Sequence, residues 1–213
     1  MRTVTRGLVV LAALGVLGYA FVRSAQSSRA TPYTVPAADL AGWRVTVDAA
    51  DGGSGRVVSL TPGAGFVPGL FPQVFSRAGE TLAAPSEPGL PLVVEAEFAR
   101  MGGALTAADI AALAREAGLE GAAVQPRCMV HRRVSEPRLT RQVYFVLFDL
   151  PAFQDFRQRV AARLAAAGAA PAAFDPAALS PAVIVAASDA VFSRWLPLTA
   201  DPAADCVAPV VPE

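Results

Sequence analysis

The alternation of apolar and polar positions divides the chain into one unbroken apolar run, a polar stretch and a series of short periodic segments. The run is GLVVLAALGVLGYAFV, residues 7–22, and it holds no charged side chain. It follows the basic start MRTVTR and precedes the polar SAQSS, which is the order of an export signal. Sixteen helical residues rise about 24 Å, short of a bilayer core of about 30 Å, which favours a signal peptide. The small-x-small cleavage pattern is poor, with Gly18-Tyr19-Ala20 the best candidate, which favours an uncleaved anchor. Either reading exports the rest. Residues 1–30 read as signal anchor or signal peptide with the start of a linker, and 31–42, rich in Ala and Pro, as linker.

Residues 43–213 read as a single exported α+β domain. WRVTV (43–47) and RVVSL (56–60) alternate around DGGSG, a hairpin pattern. The stretch to residue 89 is punctuated by Gly and Pro and reads as irregular, with Phe66, Phe71 and Phe75 along one edge of the main sheet. LPLVVEAEF (90–98) predicts a strand. Thr106 predicts a helix cap, with Asp109 in the first turn and Gly118 as the stop. AAVQPRCMVHRRV (122–134) and RQVYFVLF (141–148) predict two strands joined by SEPRLT. The unbroken apolar run of the second predicts a central strand covered on both faces. Pro151 predicts a helix start, with Phe153, Phe156, Val160 and Leu164 inward and Arg157, Arg159 and Arg163 outward. PAVIVAAS (181–188) predicts a strand, DAVFSRWL a short helix and CVAPVV (206–211) an edge strand.

The order from residue 90 to 188 is β-α-β-β-α-β, the split βαβ or ferredoxin-like arrangement of an antiparallel sheet. The expected fold is therefore α+β and ferredoxin-like. It has an N-terminal β-hairpin extension (43–89), a C-terminal helix and edge strand (189–213), and a hydrophobic helix in front. This is a match of element order and carries no function.

Charge adds one asymmetry. All eighteen basic residues are arginine, and the formal net charge is zero. Arg2, Arg6, Arg23 and Arg29 precede residue 31 with no acid among them, so fourteen Arg against eighteen acids leave the remainder at −4. That sign argues against nucleic acid as a partner.

The most chemical stretch is RCMVHRRVSEPRLTRQVYFVLF (127–148). It holds five arginines, the one histidine and one of two cysteines. Cys128 and His131 have half of a zinc spacing, but positions three apart on a strand point to opposite faces, so no metal is expected. His131 lies in a basic neighbourhood with no obvious carboxylate beside it in the sequence, which argues against nucleophilic catalysis. Glu95 and Glu97, two apart on the expected strand, would share a face about 7 Å apart, the geometry of an acid–base pair. The same positions read equally as cross-strand charge facing Arg127, His131 and Arg133, which is also what an interaction face looks like. Arg132, Arg133, Arg138 and Arg141 flank a hairpin tip. Cys128 and Cys206 are an even pair in an exported chain, which permits a disulfide. Neither DGGSG nor GAGFVPG has the Lys and following helix of a phosphate loop.

The expected function is a non-enzymatic envelope protein, membrane-anchored or exported, whose domain is a protein-interaction module without a cofactor. Its partners would be the membrane, through residues 7–22, and other envelope proteins. A soluble periplasmic binder of small ligands, with residues 66–75 lying over an apolar pocket, is the alternative. An enzyme using His131 or Glu95 and Glu97 is the third.

Overall fold

In the strand Leu139–Asp149 (β6), residues 142–148 are all buried, and the reason is its place in the sheet. It is flanked by Gln125–Glu136 (β5) and Ala182–Ala187 (β7), both antiparallel to it. The computed structural model describes residues 31–48, 53–137 and 139–213. The apolar run 7–22 lies outside the described residues. Among the described residues no helix is long and apolar enough to cross a membrane.

The fold is α+β, with eight strands in two sheets among the described residues. The larger sheet has the order β1-β8-β5-β6-β7, where β1 is Tyr33–Val35 and β8 is Cys206–Pro212. The smaller sheet joins β2 (Arg44–Val47), β3 (Arg56–Thr61) and β4 (Leu90–Val94). The helices are α1 (Phe66–Ala78), α2 (Glu95–Arg100), α3 (Ala107–Glu116), α4 (Pro151–Ala166) and α5 (Pro202–Asp205).

The ferredoxin-like pairing does not form. In that plan β4 would lie beside β6; instead it pairs antiparallel with β3, and β7 takes the place beside β6. All five residues of β4 are buried, and the β2–β3 hairpin offers it an apolar edge with Val58 and Leu60 fully buried. The hairpin is thus half of a sheet and not an appendage. Two further expectations change. The stretch read as linker supplies β1, and CVAPVV is an interior strand between β1 and β5.

The stretch read as irregular contains α1. Pro68 falls in its first turn, where no amide has an intrahelical partner. Pro72 removes one further bond, and Gly79 closes the helix at φ 67°. Phe66, Val67, Leu70 and Val74 go inward and pack into the main core. Phe66 meets Trp43 and Phe148 at centroid distances of 5.5 and 5.7 Å. Trp43 meets Phe148 edge-on at 5.1 Å.

Helix α3 begins as expected. The Thr106 hydroxyl accepts from the Asp109 amide at 3.1 Å, and Asp109 accepts from the Thr106 amide at 2.9 Å. A second, smaller core covers the opposite face of β5, β6 and β7 with Trp195, Leu198 and their neighbours. The central sheet is therefore covered on both faces.

Candidate functional site

Helix geometry, not strand geometry, governs Glu95 and Glu97. Both lie in the first turn of α2, where carboxylates favour the helix N-terminus. Glu95 is exposed and Glu97 is buried, so the two do not form an acid–base pair. Glu97 meets Arg157, which was expected outside α4 and is fully buried. Arg157 Nη2 donates to Glu97 Oε1 at 2.6 Å and to the Asp175 carbonyl at 2.5 Å. Its Nη1 donates to Glu97 Oε2 at 3.3 Å and to the Leu92 carbonyl at 3.0 Å, and its Nε to the Pro176 carbonyl at 2.9 Å. All five guanidinium donors are satisfied. The Phe174 ring lies 4.3 Å from the cation. Glu97 also accepts from the Val94 amide at 3.3 Å. These contacts clamp α2, β4, α4 and the 174–176 turn together.

The expected face of Glu95, Glu97, Arg127, His131 and Arg133 is therefore dispersed. Arg127 sits at a β-bulge and pairs with Asp149 at 3.0 Å, at the opposite end of β5 from Arg133. His131 and Arg133 do share a face, opposite Tyr144 and Gln142 of β6. Their acidic neighbour is Glu80, just past α1, which nothing in the local sequence marks.

His131 stacks on Tyr144 at 4.3 Å with planes 2° apart. Its Nε2 donates to Gln142 Oε1 at 2.9 Å, because that oxygen can only accept. Gln142 Nε2 donates to Glu80 Oε2 at 2.5 Å, and Arg133 lies 3.8 Å from Glu80 Oε1. Burial raises the Tyr144 phenol above its usual value, and Arg133 pulls the other way. Tyr33 is raised by burial as well, against the pull of Arg77, whose guanidinium lies 4.0 Å from its ring. The result is a polar chain on the inner sheet face, its members bonded to one another.

Cys128 lies on the other face, in the smaller core, and is bonded to Cys206 with Cα atoms 5.6 Å apart. The thiol that would have shared a metal with His131 is engaged on the far side of the sheet. Among the described residues no group of three His, Cys, Asp or Glu could hold a metal ion.

Two surface features are built differently. On α1 the positions Pro68, Phe71, Pro72 and Phe75 follow i, i+3, i+4, i+7 and form an outward stripe without charge. Phe71 and Phe75 touch at 5.8 Å, and Phe75 is 47% exposed. The second feature is an arm. β8 pairs with β5 only as far as Val130 and β7 with β6 only as far as Val143. Beyond these, β5 and β6 continue as a two-stranded ribbon to Glu136 and Leu139. Val134 and Leu139 are diagonal neighbours on one face of the ribbon and are 43% and 50% exposed.

Compared with known proteins, the chain matches no family model, no curated protein and no solved structure. Its function has to be argued from these surfaces.

Proposed function

We propose that the protein is an exported envelope protein, held to the membrane through residues 7–22, whose domain works as a protein-interaction module. The observation that carries this reading is the stripe on α1. A partly exposed Phe71–Phe75 pair flanked by two prolines is the kind of preformed aromatic surface from which interface hot spots are drawn. Its inner side is fixed by the main core, so the stripe is rigid before any partner arrives. The chemically capable groups support the same reading, since Glu97, His131 and Cys128 each engage other protein groups.

A photo-crosslinking residue in place of Phe75, with the full chain expressed in its own cells, tests this. A discrete protein adduct is expected, lost when Phe71 becomes Asp, together with failure of that variant to complement a deletion. Full complementation by Phe71→Asp and by Phe75→Asp would refute the stripe as the working surface.

One observation favours a second reading, small-ligand binding. A groove of about 440 Å³ lies between Pro85, Pro88, Phe192 and Leu196, with Ile184 in its lining. Arg56 lines it as well, and its buried Nε–H has no partner among the described residues. Binding of a fluorescent apolar carboxylate that Phe192→Asp abolishes would select this reading over the first.

A further inference from the structure

The β5–β6 arm and the tethered end of the domain point the same way. β1 runs parallel to β8, and β8 antiparallel to β5, so the start of β1 and the finish of β5 share one end of the sheet. Tyr33 pairs with Val210, beside the Pro209–Cys128 pair, so Tyr33 is roughly level with Cys128. From Cys128 to Glu136 the strand advances eight steps, about 27 Å at ~3.4 Å each. Residues 23–32, ten in all, link the apolar run to Tyr33 and reach at most about 35 Å when extended. The tether is thus long enough to let the arm stand upright on a bilayer, and too short to carry it far away.

The arm is suited to that position. Residues 132–141 hold four arginines and one glutamate, against a net −4 for residues 31–213 as a whole. Glu136 and Asp189 hold Arg141, at 3.0 and 2.7 Å, and Glu80 lies near Arg133. Arg132 donates to the Thr199 carbonyl and lies 5.6 Å from the Phe145 ring centroid, both neutral groups. Among the described residues Glu80 reaches Arg133 and Asp189 reaches Arg141 opposite Val134, while Glu136 stands opposite Leu139 at the end of the ribbon. Toward the tip Val134 and Leu139 offer an apolar pair, with Glu136 and Arg141 opposite them and Arg132 further down the same face. Apolar tips beside arginine match the boundary between headgroups and acyl chains.

We propose that the β5–β6 arm docks onto anionic phospholipid headgroups, Val134 and Leu139 entering the interface and Arg132 meeting the phosphates. This rests on the anchoring reading above and goes beyond it. A single arm binds a membrane weakly, but a short tether keeps it at high effective concentration, so a weak contact suffices to orient the domain.

The test uses the full chain reconstituted into vesicles of phosphatidylcholine, with or without phosphatidylglycerol. A photo-crosslinking residue replaces Leu139, or Gln125 at the opposite end of β5 as a control. Flotation at high salt is scored first. The expected result is co-flotation and lipid adducts at position 139, with few at 125. These adducts require phosphatidylglycerol, weaken at high ionic strength and fall about fivefold with Arg132→Gln. Co-flotation without lipid adducts at 139, adducts indifferent to headgroup charge, or adducts to a second copy of the chain would overturn the inference and leave the anchor standing. Failure to float would overturn the anchor itself and the arm's role with it. Arg132→Gln changes one partly exposed side chain, and the salt dependence reads the same contact without any substitution.

Discussion

Arg157 and Glu97 are joined inside the protein by two hydrogen bonds, and neither side chain is more than 3% exposed. Removing one partner strands the other as a buried charge. Arg157→Ala is expected to cost about 3–5 kcal/mol, read from urea unfolding. Replacing the pair, Arg157→Met with Glu97→Leu, is expected to cost much less than the two single changes summed. Equal additivity would mean that the two groups are not coupled.

The two buried phenols set an alkaline limit. Tyr33 and Tyr144 both have pKa values raised by burial in the folded state. The unfolded chain therefore loses these protons first as pH climbs through about 10, while the folded chain still holds them. Their contribution is full below that pH and is lost as pH rises through the folded values. Tyr33→Phe with Tyr144→Phe is expected to flatten the fall in unfolding free energy between about pH 9 and 11. An unchanged slope would assign the alkaline loss to other groups.

Reduction is expected to weaken the larger sheet. The Cys128–Cys206 link closes a separation of 78 residues. On the chain-entropy account this is worth about 4.5 kcal/mol. Cys128→Ala with Cys206→Ala should lower the unfolding free energy by that order, and reductant should then have no further effect. A midpoint that ignores both reductant and substitution would show that the link does not form in solution.

Two glycines of the β2–β3 turn separate strain from crowding. Gly53 has φ 59°, and among the described residues no atom lies within 4 Å of where a Cβ would stand. Gly55 has φ 73°, and a Cβ there would lie 2.8 Å from the Ser193 Cβ. Gly53→Ala is expected to cost about 1 kcal/mol for the left-handed backbone alone. Gly55→Ala adds the overpacking term, about 1–3 kcal/mol more. Equal losses in thermal unfolding would show that the 192–196 segment gives way freely.

What the residues revealed in advance followed from local physics. RQVYFVLF could only be a covered central strand, and it is β6. RCMVHRRV and its arginine-flanked turn read best as half of a hairpin, and it is β5. Thr106 and Asp109 formed the cap their types dictate. The misreadings arose where two local signals competed or where the answer was long-range. VVEAEF alternates like a strand, yet its acids prefer a helix N-terminus, and Glu97 is drawn in by Arg157, sixty residues away. Arg157 sits among polar neighbours on α4, so nothing nearby distinguishes it from Arg159, which pairs with Asp155 at the surface. The prolines at 68 and 72 masked α1, although each falls where a helix tolerates or survives it. The choice of β3 over β6 as partner for β4 depends on which apolar edge is open in the folded molecule, and no window of sequence contains that. Glu80 escaped for the same reason: its role depends on α1 ending above Gln142.

The three residues of β1 have a mechanical meaning. A pull on the chain at residue 31 enters the domain through Tyr33–Val35. Parallel pairing with β8 sets those bonds across the line of tension, so they resist together and do not open one by one. Gln73 grips Thr34 from both sides, and Arg77 holds the Thr31 and Pro32 carbonyls, which spreads the strain into α1. From β8 the force crosses to β5 through a covalent bond. A domain tugged at this point would share the load between the larger sheet and α1 before β1 came away.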